Sequence, residues 1–255
     1  TGALPISGML GWAAGTAASV NLIAELGAVM LLQACVALVL GPRIAWGLAF
    51  PLGYMLFLVP FGDEIMPPLQ SITAHIAVAL TNASGVHATL SGVFIDTPVG
   101  RFEVAQACSG VKFLIAMIAL GTLVAHLCFH SRQRRVLFMV ACVIVPVLAN
   151  GVRAWGTIYV AQRRGVAFAA GFDHIVYGWI FFALVMTFLL GIASQFFDRP
   201  ADDPPIDAGA LQASPLLGRL AQFTLGKWTV LAIVLLGAVA ALAIEASLAA
   251  VAVRT

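Results

Sequence analysis

Residues 110–130 read GVKFLIAMIALGTLVAHLCFH, and this apolar run decides the fold class. A helix needs about 20 predominantly apolar residues to cross the hydrocarbon core of a bilayer, and this run has that length. The rest of the chain has a similar composition, because 62% of its 255 residues are hydrophobic and only 9% are charged. A soluble domain carries about 25% charged residues, so the sequence predicts an all-α bundle in a membrane.

Apolar runs recur along the chain and predict a polytopic bundle. We expect about seven transmembrane spans, at residues 4–20, 23–41, 44–60, 110–130, 136–156, 175–196 and 228–253. Short loops that carry Lys and Arg usually face the cytoplasm, and residues 132–135 and Arg43 lie in such loops. The same alternation puts Arg163 and Arg164 outside, where a basic pair indicates contact with an anionic substrate or a lipid headgroup.

The longest external region covers residues 61–103. Pro67-Pro68 opens an apolar-rich helix that is too short to span, which predicts an external amphipathic or re-entrant helix. Residues 92–104 then alternate in polarity around Pro98-Val99-Gly100. This alternation predicts a short hairpin immediately before the span that begins after Cys108.

Composition also divides the chain and excludes some functions. The segment 198–227 contains Asp202-Asp203-Pro204-Pro205 and predicts a cytoplasmic linker between a transmembrane core at 1–197 and a C-terminal transmembrane helix at 228–255. The net charge of +2, with basic residues at segment ends, does not indicate nucleic-acid binding. The four cysteines lack CxxC spacing and paired histidines, so we expect no metal site, no disulfide framework and no cofactor.

Cys108 is the cysteine whose surroundings indicate chemistry. It lies in Ala107-Cys108-Ser109-Gly110, at the external start of the fourth span. The positive end of a helix dipole there, with Lys112 one turn on, favours the thiolate, which is the nucleophilic form of cysteine. The alternative is a small packing residue, which is the ordinary role of a cysteine in an apolar interior.

Two further polar residues face the same side of the membrane. Arg153 lies near the outer end of the fifth span with Asn150 on its helix face, and an arginine at that depth needs a partner or a function. His174 begins the sixth span, where Asp173 can cap the helix. Taken singly, Arg153 is explained by snorkelling and His174 by a structural role.

Their combination favours acyl transfer. The topology puts a thiol, a guanidinium and an imidazole at one depth on one face, although they come from three different spans. A thiolate can attack a carbonyl, an imidazole can transfer protons, and a fixed cation can stabilise the oxyanion. The sequence therefore predicts a thiol-based active site formed by Cys108, Arg153 and His174.

These residues resemble those of the exosortases and archaeosortases, in particular the exosortases of Gram-negative bacteria. The resemblance runs from about Pro60 to Phe182, and it rests on order and spacing as well as on the motifs themselves. The matching motifs are Pro98-Val99-Gly100-Arg101-Phe102-Glu103-Val104, Ala107-Cys108-Ser109-Gly110, Asn150-Gly151-Val152-Arg153 and Gly171-Phe172-Asp173-His174-Ile175-Val176-Tyr177-Gly178-Trp179-Ile180-Phe181-Phe182.

The resemblance implies an intramembrane cysteine protease and transpeptidase, with its exosortase core at 1–197 and catalytic spans at about 110–196. It would act on proteins with a C-terminal PEP-CTERM sorting signal and pass them to a polysaccharide or lipid-linked acceptor. Cys108 would be the nucleophile, His174 the acid and base, and Arg153 the third essential residue. The supporting or substrate-binding residues would be Ser109, Asn150, Asp173, Arg163 and Arg164.

The implied location is the bacterial inner membrane, in contact with its lipids, with the active site on the periplasmic side. Two alternatives remain at this point. One is a non-enzymatic subunit of polysaccharide assembly or export, in which Arg153 and His174 line a polar cavity. The other is a thiol acyltransferase that uses Cys108 on a lipid or a glycan.

Overall fold

The computed structural model describes residues 7–12, 15, 21–165, 173–200, 202–203, 206, 208–221 and the single positions 229, 232, 235 and 239. Within these ranges, the side chains of residues 21, 173–176, 210 and 220 fall outside the description. The chain forms two compact units, one of residues 62–203 and the other of residues 1–61 with 204–255. The predicted spans at 4–20 and 228–253 lie largely outside the described residues.

The unit at 1–61 and 204–255 contains one long helix and several short ones. Helix α1 covers Asn21–Leu40, followed by α2 (Pro42–Gly47), α3 (Ala49–Tyr54) and a 3-10 turn at Met55–Leu58. The single helix predicted at 44–60 is therefore broken. Pro51 explains the break after Gly47. Its ring would clash with the carbonyl of Gly47 in a continuous helix, and it has no N–H to donate to that carbonyl.

The unit at 62–203 contains the remaining long helices. Helix α4 (Met66–Ala83) leads to strands β1 (Thr89–Ser91), β2 (Phe94–Thr97) and β3 (Gly100–Glu103). A 3-10 turn at Gln106–Cys108 precedes α5 (Val111–Cys128), α6 (Arg132–Arg164) and α7 (Asp173–Ser194). The strands form an antiparallel sheet in the order β1-β2-β3. The hairpin predicted around Pro98-Val99-Gly100 is confirmed, whereas β1 was not predicted.

Helix α6 is the centre of this unit, and it packs against α4, α5 and α7. Met117, Cys142 and Leu189 form a core where α5, α6 and α7 meet. On another side of α6, a Cβ at Gly151 would overlap Ile76, so glycine lets α4 approach closely. The buried residues of α4 recur at helical spacing along one face: Leu69, Gln70, Thr73, Ala74, Ala77 and Thr81.

The segment 198–227, predicted as a flexible linker, is partly helical. It contains α8 (Ala208–Ala213) and α9 (Pro215–Ala221). Pro215 is favourable at the first position of α9, and Ser214 Oγ accepts a hydrogen bond from Leu217 N–H at 3.5 Å. Local capping residues therefore favour two short helices, which the overall composition of the segment did not predict.

Four described segments are long and apolar enough to cross a membrane. They are Leu22–Leu40, Gln106–Cys128, Arg132–Arg164 and Tyr177–Ser194, and the bent pair Ala49–Leu58 with Asp63–Ala83 would make a fifth if counted as one span. The chain is thus a mostly helical membrane protein. The total of seven spans and the re-entrant character of α4 stay predictions.

Candidate active site

Cys108 lies at the end of the 3-10 turn that leads into α5. Its side chain is half-buried, and its backbone N–H donates to the carbonyl of Ala105 at 2.8 Å. Gly110 makes the sharp entry into α5 with a φ of 85°. A Cβ there would also come within 2.8 Å of the Asn150 amide, so both the backbone and the space require glycine.

Asn150 joins three elements around this turn. It is 3% exposed, and its Nδ2 donates to Thr73 Oγ1 on α4 at 3.0 Å and to the Cys108 carbonyl at 2.9 Å. Its Oδ1 accepts from Arg153 Nε at 3.2 Å and from Nη2 at 3.1 Å. Both donors and both lone pairs of the amide are used, so this residue fixes the cysteine turn and the arginine together.

Arg153 is buried, with 6% of its surface exposed. Its guanidinium lies 5.7 Å from the centre of the Phe113 ring on α5, and a Cβ at Gly178 of α7 would lie 3.5 Å from Nη1. Among the described residues no carboxylate forms an ion pair with it. A buried cation without an anionic partner is costly, which makes this guanidinium suited to a substrate anion or an oxyanion.

Two cavities meet at these residues, and both are lined by Cys108 and Arg153. The larger, of about 420 Å³, lies between α5 and α7 and is also lined by Lys112, Phe113, Trp179 and Phe182. The smaller, of about 70 Å³, lies between the hairpin and α6, and its walls include Glu103, Val104 and Thr157. The structure therefore places Cys108 and Arg153 in the lining of the same two cavities.

Three other predicted residues have different surroundings. Ser109 is 3% exposed, and its Oγ accepts from Val111 N–H at 3.4 Å, which helps to cap α5. Arg163 donates to the Tyr159 hydroxyl at 3.0 Å and stacks on the same ring. Arg164 is exposed, and neither of these arginines lines the two cavities.

His174 and Asp173 lie in the first turn of α7, but their side chains are outside the described residues. Their positions in the chain are informative nevertheless. His174 stands four residues before Gly178, where an added Cβ would lie 3.5 Å from Nη1 of Arg153. The contact of His174 with the site is therefore a prediction rather than an observation.

A comparison with protein families now adds to this geometry. A model of the transmembrane exosortase family matches residues 2–191, which is most of the chain. The chain belongs to the transmembrane exosortase family. Comparisons with curated proteins and with solved structures find no match. Membership of the exosortase family suggests a membrane transpeptidase, and the matched range contains every residue of the site described above.

Sequence reasoning missed two polar residues of this exosortase that hold the site from α4. Thr73 accepts the Asn150 bond, and Gln70 Nε2 donates to the Val104 carbonyl at 2.8 Å. Both are buried, at 1% and 8% exposure. The sequence did contain a signal for them, since they lie three residues apart on the apolar face of a helix. Polar groups buried on such a face need hydrogen-bond partners, which predicts contacts with other elements.

The described residues of this exosortase contain no group of three or more His, Cys, Asp or Glu side chains that would hold a metal ion. The functional groups in the lining of the larger cavity are a thiol, a guanidinium and an ammonium, together with aromatic rings. Such a set has nucleophilic and anion-binding character.

Proposed function

We propose that this exosortase is an intramembrane cysteine transpeptidase that cleaves the C-terminal PEP-CTERM sorting signal of exported proteins. The observation that carries the proposal is the pairing of Cys108 and Arg153 in two adjoining cavities, with Asn150 bonded to both. A nucleophile and a fixed cation within one site are the parts that acyl transfer needs. The acceptor would belong to the envelope or to an exopolysaccharide.

The reaction has two steps. The Cys108 thiolate attacks the carbonyl carbon of the scissile peptide, a C–S bond forms, and the C–N bond breaks as the amine leaves with a proton. The acceptor then attacks the thioester and loses its own proton, and the C–S bond breaks to release the Cys108 thiolate. His174 would give the first proton and take the second, since an imidazole exchanges protons readily near neutral pH.

Arg153 would stabilise the negative charge that forms on the carbonyl oxygen in each step. Asn150 holds Nε and Nη2 in place, so no large reorganisation is needed when the charge appears. The aromatic and apolar walls of the larger cavity would contact the hydrophobic part of the sorting signal. Arg164, which is exposed, would help to attract acidic residues of the substrate.

The proposed location is the bacterial inner membrane, with the site on the periplasmic side. Arg132, Arg134 and Arg135 lie at the first turn of α6, and Asn150 and Arg153 lie about 30 Å further along the helix. Basic residues near the ends of spans favour the cytoplasmic side. This orientation would present Cys108 to exported substrates.

The test is co-expression with a tagged PEP-CTERM protein, comparing the parent chain with Cys108→Ala, Arg153→Ala and His174→Ala. Processing by the parent chain is seen as a shift in the gel mobility and the intact mass of the substrate protein. We expect this shift to be absent in all three variants. Cys35→Ala is the matched control, because Cys35 is also half-buried but lies on α1, outside the cavities. It should process substrate as the parent chain does.

Membrane levels of each variant must be measured in the same cells, so that loss of the protein is not taken for loss of activity. Processing that survives Cys108→Ala would end the transpeptidase proposal and favour a non-enzymatic role in polysaccharide export. A lipid or glycan found on Cys108 by mass spectrometry, in place of a peptide, would favour a thiol acyltransferase.

A further inference from the structure

Strand β3 has one edge that no described strand pairs with, and its last residue lines a cavity together with the proposed nucleophile. It pairs only with β2 among the described strands, since the sheet order is β1-β2-β3. Val104 N–H donates to the Val93 carbonyl at 2.9 Å, which makes this pair a hydrogen-bonded one. Hydrogen-bonded and non-hydrogen-bonded pairs alternate along an antiparallel ladder. The backbone of Phe102 therefore bonds to β2, whereas the N–H and C=O groups of Arg101 and Glu103 point away from β2.

The end of β3 contributes to the wall of the smaller cavity. Glu103 and Val104 line it together with Cys108 and Arg153. Side chains alternate along a strand, so the Glu103 carboxylate lies on the same face of the sheet as Arg101, opposite to Phe102. Ile95 and Phe102, which pair across β2 and β3, line the same cavity, so the face of the hairpin that carries Phe102 is turned towards the thiol and the guanidinium. Glu103 reaches the cavity at the end of this face, where β3 has its free edge.

The hairpin is held firmly at both of its ends. Gln70 on α4 donates to the Val104 carbonyl at 2.8 Å, and Gln162 on α6 donates to Thr97 Oγ1 at 3.0 Å. The Thr97 hydroxyl in turn donates to the Gly100 carbonyl at 2.9 Å across the turn. A strand fixed in this way loses little further freedom when it pairs with another chain, which favours its use as a template.

We propose that the substrate binds as an added β-strand on the free edge of β3, bonded to the backbone of Arg101 and Glu103, with the scissile carbonyl at Cys108. Edge-strand addition is a common way to bind an extended peptide, because the main chain supplies most of the bonds. The proposal rests on the proposed function, since it describes how that site receives its substrate.

The resemblance to exosortases implies that the sorting signal contains a Pro-Glu-Pro segment, and such a segment has the properties that this edge requires. A residue before proline favours an extended backbone, so the segment is already close to a strand. Its two prolines lack N–H groups and, being two residues apart, point the same way. They can face away from β3 while the intervening glutamate directs its N–H and C=O to the edge.

The first experiment compares Glu103→Pro with Glu103→Ala in the co-expression assay. Proline removes the outward N–H of residue 103 and leaves the bonds between β2 and β3 intact, whereas alanine removes only the carboxylate. The loss of one hydrogen bond should make processing by Glu103→Pro about two- to tenfold lower than by Glu103→Ala. Equal processing by the two variants, at equal membrane levels, would contradict the proposal.

A second measurement does not depend on folding of a variant. The full chain in proteoliposomes is given a synthetic peptide that contains Pro-Glu-Pro and an apolar helix, with single backbone amides methylated in turn. We expect cleavage to fall at every second position on the edge-facing side, because N-methylation removes one hydrogen-bond donor at a time.

The outcomes separate the two proposals. Cleavage that depends on Cys108 but shows no alternation with N-methylation would overturn strand addition and leave the transpeptidase proposal standing. Cleavage of the unmodified peptide that is unaffected by Cys108→Ala would overturn both.

Discussion

At the scale of single residues, Asn150 determines the geometry of the site. Replacement by leucine keeps the approximate volume but leaves Arg153, Thr73 and the Cys108 carbonyl without their shared partner. Each buried group left unpaired costs about 1–3 kcal/mol. We expect Asn150→Leu to lower both the unfolding temperature in detergent and the processing of substrate.

Asn150→Asp serves as the matched variant. A carboxylate can still accept from Arg153 and from the Thr73 hydroxyl, but it cannot donate to the Cys108 carbonyl. It should unfold at a higher temperature than Asn150→Leu while still processing less substrate than the parent chain. Identical unfolding temperatures for the two variants would show that the bonds to Arg153 and Thr73 contribute little.

Gly110 gives a second prediction at this scale. Gly110→Ala must adopt a φ of 85° and also come within 2.8 Å of Asn150. Gly85→Ala is the control, because Gly85 has a φ of 82° but nothing within 4 Å of the added Cβ. The left-handed conformation costs about 1–2 kcal/mol in both. Thermal unfolding should therefore show a larger loss for Gly110→Ala, and equal losses would exclude the overlap.

At the scale of elements, the start of α6 contacts a carboxylate in the segment that follows α7. Asp198 Oδ1 accepts from His130 N–H at 2.7 Å, and Oδ2 accepts from Ser131 N–H at 3.1 Å. The bond from His130 is the largest cause that holds the pKa of Asp198 below its usual value, with Ser131 and Arg134 acting in the same direction. The charged carboxylate therefore stabilises the start of α6.

The sign of the pH effect follows from this lowered pKa. The stabilisation is complete above the unfolded-state pKa of about 3.9, and it is lost as the pH falls through the lower folded-state value. We expect the unfolding temperature of the parent chain to fall more steeply below about pH 4 than that of Asp198→Asn. Parallel curves between pH 3 and 7 would contradict a role for the Asp198 charge.

The elements also show what the sequence could and could not predict. The β2–β3 hairpin was predictable because its alternation and its turn residues are adjacent in the chain, and Asn150 was paired with Arg153 because they are three residues apart on one helix. The bond from Asn150 to Thr73 joins residues 77 positions apart. Such a pairing depends on how α4 packs on α6, which apolar periodicity does not specify.

Short elements were missed for a related reason. β1 has three residues, which is too few for alternation to be recognised, and it is held in place by the side chain of Asn82, which bonds the N–H and the carbonyl of Ala88. The break after Gly47 was missed because the span at 44–60 was predicted from apolar composition alone, which does not include the effect of Pro51 on the helix. In both cases a local backbone constraint outweighed the average hydrophobicity.

At the scale of the whole molecule, orientation in the membrane can be tested directly. We expect Arg164→Cys, in a chain that carries Cys108→Ala, to react with a membrane-impermeant maleimide in intact spheroplasts. Gln133→Cys, at the other end of α6, should react only after lysis. Both positions are exposed, so access to the side chain is matched. The reverse pattern would invert the proposed topology.

The length of α6 has a chemical consequence. Its 33 residues extend for about 50 Å, longer than the hydrocarbon core of about 30 Å. Arg153 stands about 30 Å along the helix from Arg132, so an untilted helix with its basic end at one edge of the hydrocarbon core would bring the guanidinium to the other edge. An acyl group on Cys108 would be held at that boundary. Water and the acceptor would then compete for the acyl group. The fraction of substrate protein that becomes attached to the acceptor would measure the rate of transfer relative to hydrolysis.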